Sequence, residues 1–224
     1  MTADAFSDPA AVASYAERTR RSVPGLDVVH GLVEQILAES VPDEGRVLVV
    51  GAGGGLELTY LAERHDGWTF DGVDPSAPML DLARETMGPR AARAALREGY
   101  VSDAPDGPFD AATCLLTLHF LSREERLRTL REIRRRLRPG APLLTFQHSV
   151  PGGDARTAWL ERYARFAVGP AGDPAQVARR VATLATELPL SSPEEDEALL
   201  REAGFGGVGT YYAALTLRGW LAYA

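Results

Sequence analysis

Val47-Leu48-Val49-Val50-Gly51-Ala52-Gly53-Gly54-Gly55 decides the fold of this 224-residue chain. Four apolar residues in a row predict a strand buried on both faces, and the glycines that follow mark the point where it turns into a helix. Gly51 permits a tight turn, Gly53 brings bare backbone within touching distance of a ligand, and Gly55 lets the helix pack closely. Roughly 20 residues on, Asp74 closes a second strand, Thr69-Phe70-Asp71-Gly72-Val73-Asp74, where a carboxylate can accept hydrogen bonds from both hydroxyls of a ribose. The unit predicts a nucleotide-like ligand.

Working outward, residues 8–22 predict a short helix after Asp8-Pro9, broken by Val23-Pro24-Gly25. A second amphipathic helix follows through Val28, Val29, Leu32, Val33, Ile36 and Leu37. Beyond Asp74 the alternation continues: a helix over 77–87, strands near 97–101 and 110–118, an arginine-rich helix stopped by Arg138-Pro139-Gly140, and a strand over 142–147. Residues 151–190 interrupt with two helical segments, read as a lid; one of them carries Trp159, Tyr163 and Phe166, a spacing more typical of core packing than of a substrate cage. Ser192-Pro193-Glu194-Glu195 is a capping box that launches a helix ending at Ala203-Gly204, and the tail through Tyr211, Ala213, Leu215 and Leu217 alternates as a hairpin. The expected fold is α/β: a Rossmann-like, doubly wound, mostly parallel sheet with an antiparallel C-terminal hairpin, N-terminal helices and a small helical lid. It is expected to be one domain, with a helical cap (1–45), a cofactor-binding core (46–150), the lid (151–190) and a closing helix and hairpin (191–224).

A nicotinamide or flavin loop wants glycine or alanine as the sixth residue of its motif, where this chain has Leu56. The G-x-G-x-G present resembles motif I of class I S-adenosylmethionine-dependent methyltransferases, and Gly72-Val73-Asp74-Pro75-Ser76-Ala77-Pro78-Met79-Leu80 resembles their G-x-D-x-S-x-x-M-L stretch. Val49 stands where many of those enzymes place an acid; Glu57, in the first turn of the next helix, is a partial substitute or a plain helix-dipole partner. Arg21-Ser22-Val23-Pro24-Gly25, Leu116-Thr117-Leu118-His119-Phe120-Leu121 and Ala203-Gly204-Phe205 resemble the carboxy-S-adenosylmethionine synthases and their methyltransferase relatives. The resemblance implies S-adenosylmethionine as cofactor, bound by Gly51, Ala52, Gly53, Gly55, Asp74, Pro75, Met79, Tyr100, Val101 and Leu115, with the turn at Arg21 closing over it. In those synthases a tyrosine, an asparagine and an arginine, the last holding an extra carboxylate, stand where this chain has Leu26, Leu115 and Leu199. Three leucines offer a buried carboxylate no cation, so plain S-adenosylmethionine is expected.

All 24 basic residues are arginine, which excludes a Schiff-base lysine and a P-loop lysine. A net charge of −7 argues against nucleic acid as partner, and the arginines at 131–138 read as a solvated helix face, with Leu127, Leu130, Ile133, Arg134 and Leu137 along the other side. The lone Cys114 reads as a core thiol, and no metal site is expected. Without a membrane span or signal-peptide pattern, the chain is expected in the cytoplasm, free to form a homodimer. The leading expectation is methyl transfer to a small molecule; non-methyl S-adenosylmethionine chemistry, a nucleic-acid methyltransferase, a nicotinamide oxidoreductase and a non-catalytic binding module are the alternatives. His119 and His148, at the carboxyl edge of the sheet, are candidate bases, and Tyr15 and Tyr163 further candidates.

Overall fold

A computed structural model describes residues 12–224. Two helices, α1 (Tyr15–Ser22) and α2 (Leu26–Ala38), precede β1 (Arg46–Val50), α3 (Leu56–Ala62), β2 (Thr69–Asp74), α4 (Ala77–Met87), β3 (Ala94–Glu98) and β4 (Ala111–Leu115). Then come α5 (Arg123–Arg136), β5 (Pro142–His148), α6 (Ala155–Val168), α7 (Pro174–Thr186), α8 (Pro193–Glu202), β6 (Gly206–Ala214) and β7 (Leu217–Tyr223). The seven strands form one sheet in the order β3-β2-β1-β4-β5-β7-β6. The first five run parallel, and β7 and β6 close the edge antiparallel.

Both faces of the sheet are covered, and β1 shows why a continuous apolar strand is needed. Val47 and Val49 pack into one cluster, with Val29, Val33 and Leu37 of α2 and Leu58 and Leu61 of α3. Leu48 and Val50 point the other way, into a cluster with Leu130 and Ile133 of α5 and Leu199 and Leu200 of α8. The chain winds outward from β1 through β2 to β3, then returns to β4 on the other side of β1. That reversal leaves a crevice at the carboxyl ends of β1 and β4.

Several boundaries differ from the sequence reading. The N-terminal helix is seen from Tyr15; the start expected at residue 8 lies outside the described residues. The third strand ends at Glu98, before the expected Val101, because Gly99 turns at φ +139° and the Asp103 carboxylate accepts from the Tyr100 N–H at 2.8 Å. The fourth ends at Leu115, since Leu116 takes φ +55° and residues Leu118–Phe120 coil into a 3-10 turn. The arginine-rich helix is not simply a solvated face. Arg126 and Arg136 are fully buried, the latter donating to the carbonyls of Ser102 (3.0 Å) and Pro105 (3.1 Å), while Arg134 is exposed.

The Ser192 capping box forms as expected: its hydroxyl accepts from the Glu195 N–H at 3.2 Å, and Glu195 accepts from the Ser192 N–H at 2.7 Å. Cys114 is buried on β4. Of the 159, 163, 166 stripe, Tyr163 is buried and Phe166 is exposed. No helix among the described residues is long and apolar enough to cross a membrane.

Candidate active site

The glycine loop hangs from β2. The N–H groups of Gly51 and Ala52 both donate to the Val73 carbonyl, at 2.9 and 3.0 Å. Gly51 takes φ +78°, and a Cβ there would fall 1.9 Å from Thr117 Oγ1, so no other residue fits without rearrangement. The Asp74 carboxylate ties the loop to the next helix, with Oδ2 accepting from the Gly53 N–H and Oδ1 from the Ser76 N–H, each at 2.9 Å. Burial raises the Asp74 pKa above the usual carboxylate range, while the two backbone donors oppose the rise. Gly55 serves packing, since a Cβ there would stand 2.8 Å from Ala83 Cα, and Ala52 is buried.

These residues open onto a cavity of about 780 Å³, within the ~300–1,000 Å³ typical of small-molecule sites. Gly51, Gly53, Asp74, Pro75 and Met79 line one end, with Tyr100 and Val101 beside them. Leu115 lines it as well, and Val101 and Met79 are buried whereas Tyr100 is largely exposed at the rim. Helix α1 roofs this end. Tyr15 lies across the loop, its hydroxyl 3.3 Å from where a Gly53 Cβ would be, and burial pushes that phenol up to about 12. Ser22 and Val23 continue the wall. The turn is anchored by the Tyr212 hydroxyl, which donates to the Pro24 carbonyl, and by Gly25, whose left-handed backbone starts α2.

Arg21 is exposed and does not line the cavity; Arg18, three residues earlier on the face of Tyr15, does. That i, i+3 spacing was a usable sequence signal. Nothing comparable marks Arg180, which reaches the cavity from α7.

The far end is walled by rings. His119 and His148 meet edge to face at 5.1 Å between centroids, and His148 meets Tyr163 in the same way at 4.6 Å. His148 Nδ1 pairs with Thr216 Oγ1 at 2.9 Å, and Arg180 Nη2 donates to the Tyr163 hydroxyl at 3.1 Å. Burial, with the nearby Arg180 charge, drives His148 down to about 3, and burial beside His148 and Arg126 drives His119 well below its ordinary value. Both shifts favour the neutral imidazole, because burial penalises the charged ring. Glu57 is buried too, on α3 beside Thr113, and burial raises its carboxyl to about 7.

Arg126 supports this end from behind. Its Nε donates to the carbonyls of Leu118 (2.8 Å) and Leu121 (3.0 Å), and its Nη1 to Ser191 Oγ (2.6 Å) and Asp196 (3.1 Å). It thereby joins the loop carrying His119 to the segment that follows α7. Leu26 and Leu199, by contrast, are buried in the apolar core. Among the described residues no group of three or more histidine, cysteine or acidic side chains is placed to hold a metal.

Comparison with known proteins shows what this chain is similar to. Residues 47–140 match the methyltransferase domain family. Over 221 residues the chain is 28% identical to the carboxy-S-adenosyl-L-methionine synthase of Chromohalobacter salexigens, covering 96% of this chain and 82% of that protein. The synthase of Campylobacter curvus is 26% identical over 207 residues, covering 92% and 88%. Among solved structures, PigF with SAH superposes with a TM-score of 0.68 at 19% identity, over all of this chain and 63% of that one. The chain thus spans less than two thirds of that solved chain, and the likeness is one of fold. Matched domain, sequence relatives and fold together make this chain a relative of the class I S-adenosylmethionine-dependent methyltransferases, whose cofactor is S-adenosylmethionine.

Proposed function

We propose that this chain transfers a methyl group from S-adenosylmethionine to a small-molecule acceptor. One observation carries the reading: a single cavity runs from Gly53 and Asp74 to the ring-walled end beneath α6 and α7. It has room for a cofactor and a compact acceptor side by side.

The residues present suit the cofactor. The missing Cβ of Gly53 leaves bare backbone at the cavity wall beneath Tyr15 and Met79, and Asp74 faces the cavity with a carboxylate that can accept from ribose hydroxyls. Met79 supplies a soft apolar surface beside the loop, and Val101 and Leu115 a dry wall. When bound, the sulfonium supplies a methyl group already activated toward a nucleophile, so the protein's task is alignment. His119 and His148 orient the acceptor as neutral hydrogen-bonding groups, Tyr15 stays protonated above the loop, and the α6–α7 pair acts as a lid that excludes water. The acceptor enters already deprotonated, its proton left in bulk solvent before the lid closes.

The second reading, S-adenosylmethionine chemistry without methyl transfer, draws on the name of the sequence relatives. Against it stand Leu26, Leu115 and Leu199, which put no cation at the positions those synthases use. Product mass separates the two: S-adenosylhomocysteine with an acceptor heavier by one methylene supports the proposal, and a modified cofactor contradicts it.

A further inference from the structure

We propose that the acceptor carries a carboxylate, and that Arg180 binds it at the end of the cavity away from the glycine loop. This rests on the reading that the cavity holds S-adenosylmethionine and an acceptor together. Arg180 is half-buried, lines the cavity from α7, and has one hydrogen-bond partner among the described residues, the Tyr163 hydroxyl. Its guanidinium carbon stands 5.6 Å from the centre of that ring. Among the described residues no carboxylate comes within ion-pairing distance of it, whereas Arg46, Arg97 and Arg138, similarly half-buried, each have one. A guanidinium drawn partly out of water with most of its five donors unused is matched by a planar two-oxygen anion.

A second arginine without an ion-pair partner among the described residues, Arg18, lines the same cavity, so the assignment of the two must be argued. Arg18 lies on the same helix as Tyr15, which overlies Gly53, and so belongs to the cofactor end. Arg180 acts instead on His148, at the opposite end. Two cations at two ends suit two carboxylates, one on each substrate. The rings of Phe120, His119, His148 and Tyr163 line the same cavity and contact one another in that order, ending at the ring beside Arg180, which favours a flat apolar body behind the charge.

Benzoate and benzamide, the same ring with and without the charge, are suitable probes. Each is titrated by calorimetry into the full chain saturated with S-adenosylhomocysteine, using the native protein, Arg180→Met and the milder Arg180→Gln. S-adenosylhomocysteine binding reports that each variant is folded. Benzoate should bind on top of S-adenosylhomocysteine about tenfold or more tightly than benzamide, and the preference should vanish in both variants. Equal binding of the two probes, no benzoate binding at millimolar concentration, a preference that survives in Arg180→Met, or displacement of S-adenosylhomocysteine by benzoate would each overturn the assignment. Failure of the native chain to bind S-adenosylhomocysteine is a separate result, and it would remove the reading beneath.

Discussion

Arg126→Met removes a cation that is wholly buried and faces Asp196, whose side chain is 2% exposed, at 3.1 Å. Besides that ion pair it strips donors from the carbonyls of Leu118, Leu121 and Pro189 and from Ser191 Oγ. Breaking one partner of a buried pair costs about 3–5 kcal/mol, because the other charge is left uncompensated. For a chain of this length each kcal/mol lowers the melting temperature by roughly 2–4 °C, so a fall on the order of 10 °C is expected. The assay is thermal and urea unfolding of Arg126→Met, Asp196→Asn and the double variant. The two side chains share one network, so their effects should not add, and a coupling of about 1–3 kcal/mol is expected. Because Arg126 also fixes the turn that carries His119, S-adenosylhomocysteine affinity should fall at temperatures where the variant is still folded. A melting temperature within about 2 °C of native, or strictly additive effects, would refute the reasoning.

In Gly51→Ala, strain at φ +78° costs about 1–3 kcal/mol before the contact with Thr117 is counted, so the variant should melt lower and bind S-adenosylhomocysteine more weakly; native affinity would show that the loop does not cradle the cofactor. Glu57→Gln tests the buried acid. Its carboxyl rises from 4.5 to about 7 on folding, so its protonated form is favoured in the folded state and stability is lost as pH rises through that window. The variant should match the native chain near pH 4.5 and exceed it by up to about 3 kcal/mol at pH 8 in urea titrations. A pH-independent difference would contradict the assignment.

The sheet was legible because its evidence is local. Val47-Leu48-Val49-Val50 before Gly51 can be little else than a buried strand entering a turn, and Asp74 at the end of the next strand follows from the same unit. Gly99-Tyr100-Val101 misled because an apolar aromatic pair reads as strand, while the turn at Gly99 and the Asp103 cap are visible only in three dimensions. Arg126 lies on the stripe of Leu130, Ile133 and Leu137 at helical spacing, so its burial could have been suspected. Its partner Asp196, 70 residues away, could not. The histidines were found by their place at the carboxyl edge, but their neutrality comes from burial by elements distant in sequence, Tyr163 and Arg180 among them.

The most direct test of the central claim is calorimetric binding of S-adenosylmethionine, S-adenosylhomocysteine and NADH to the native chain and to Asp74→Ala. Micromolar binding of the first two should weaken by about ten- to a hundredfold in the variant, the loss of charge-assisted hydrogen bonds to a ribose. Binding of NADH alone, or S-adenosylmethionine affinity unchanged by Asp74→Ala, would contradict the account.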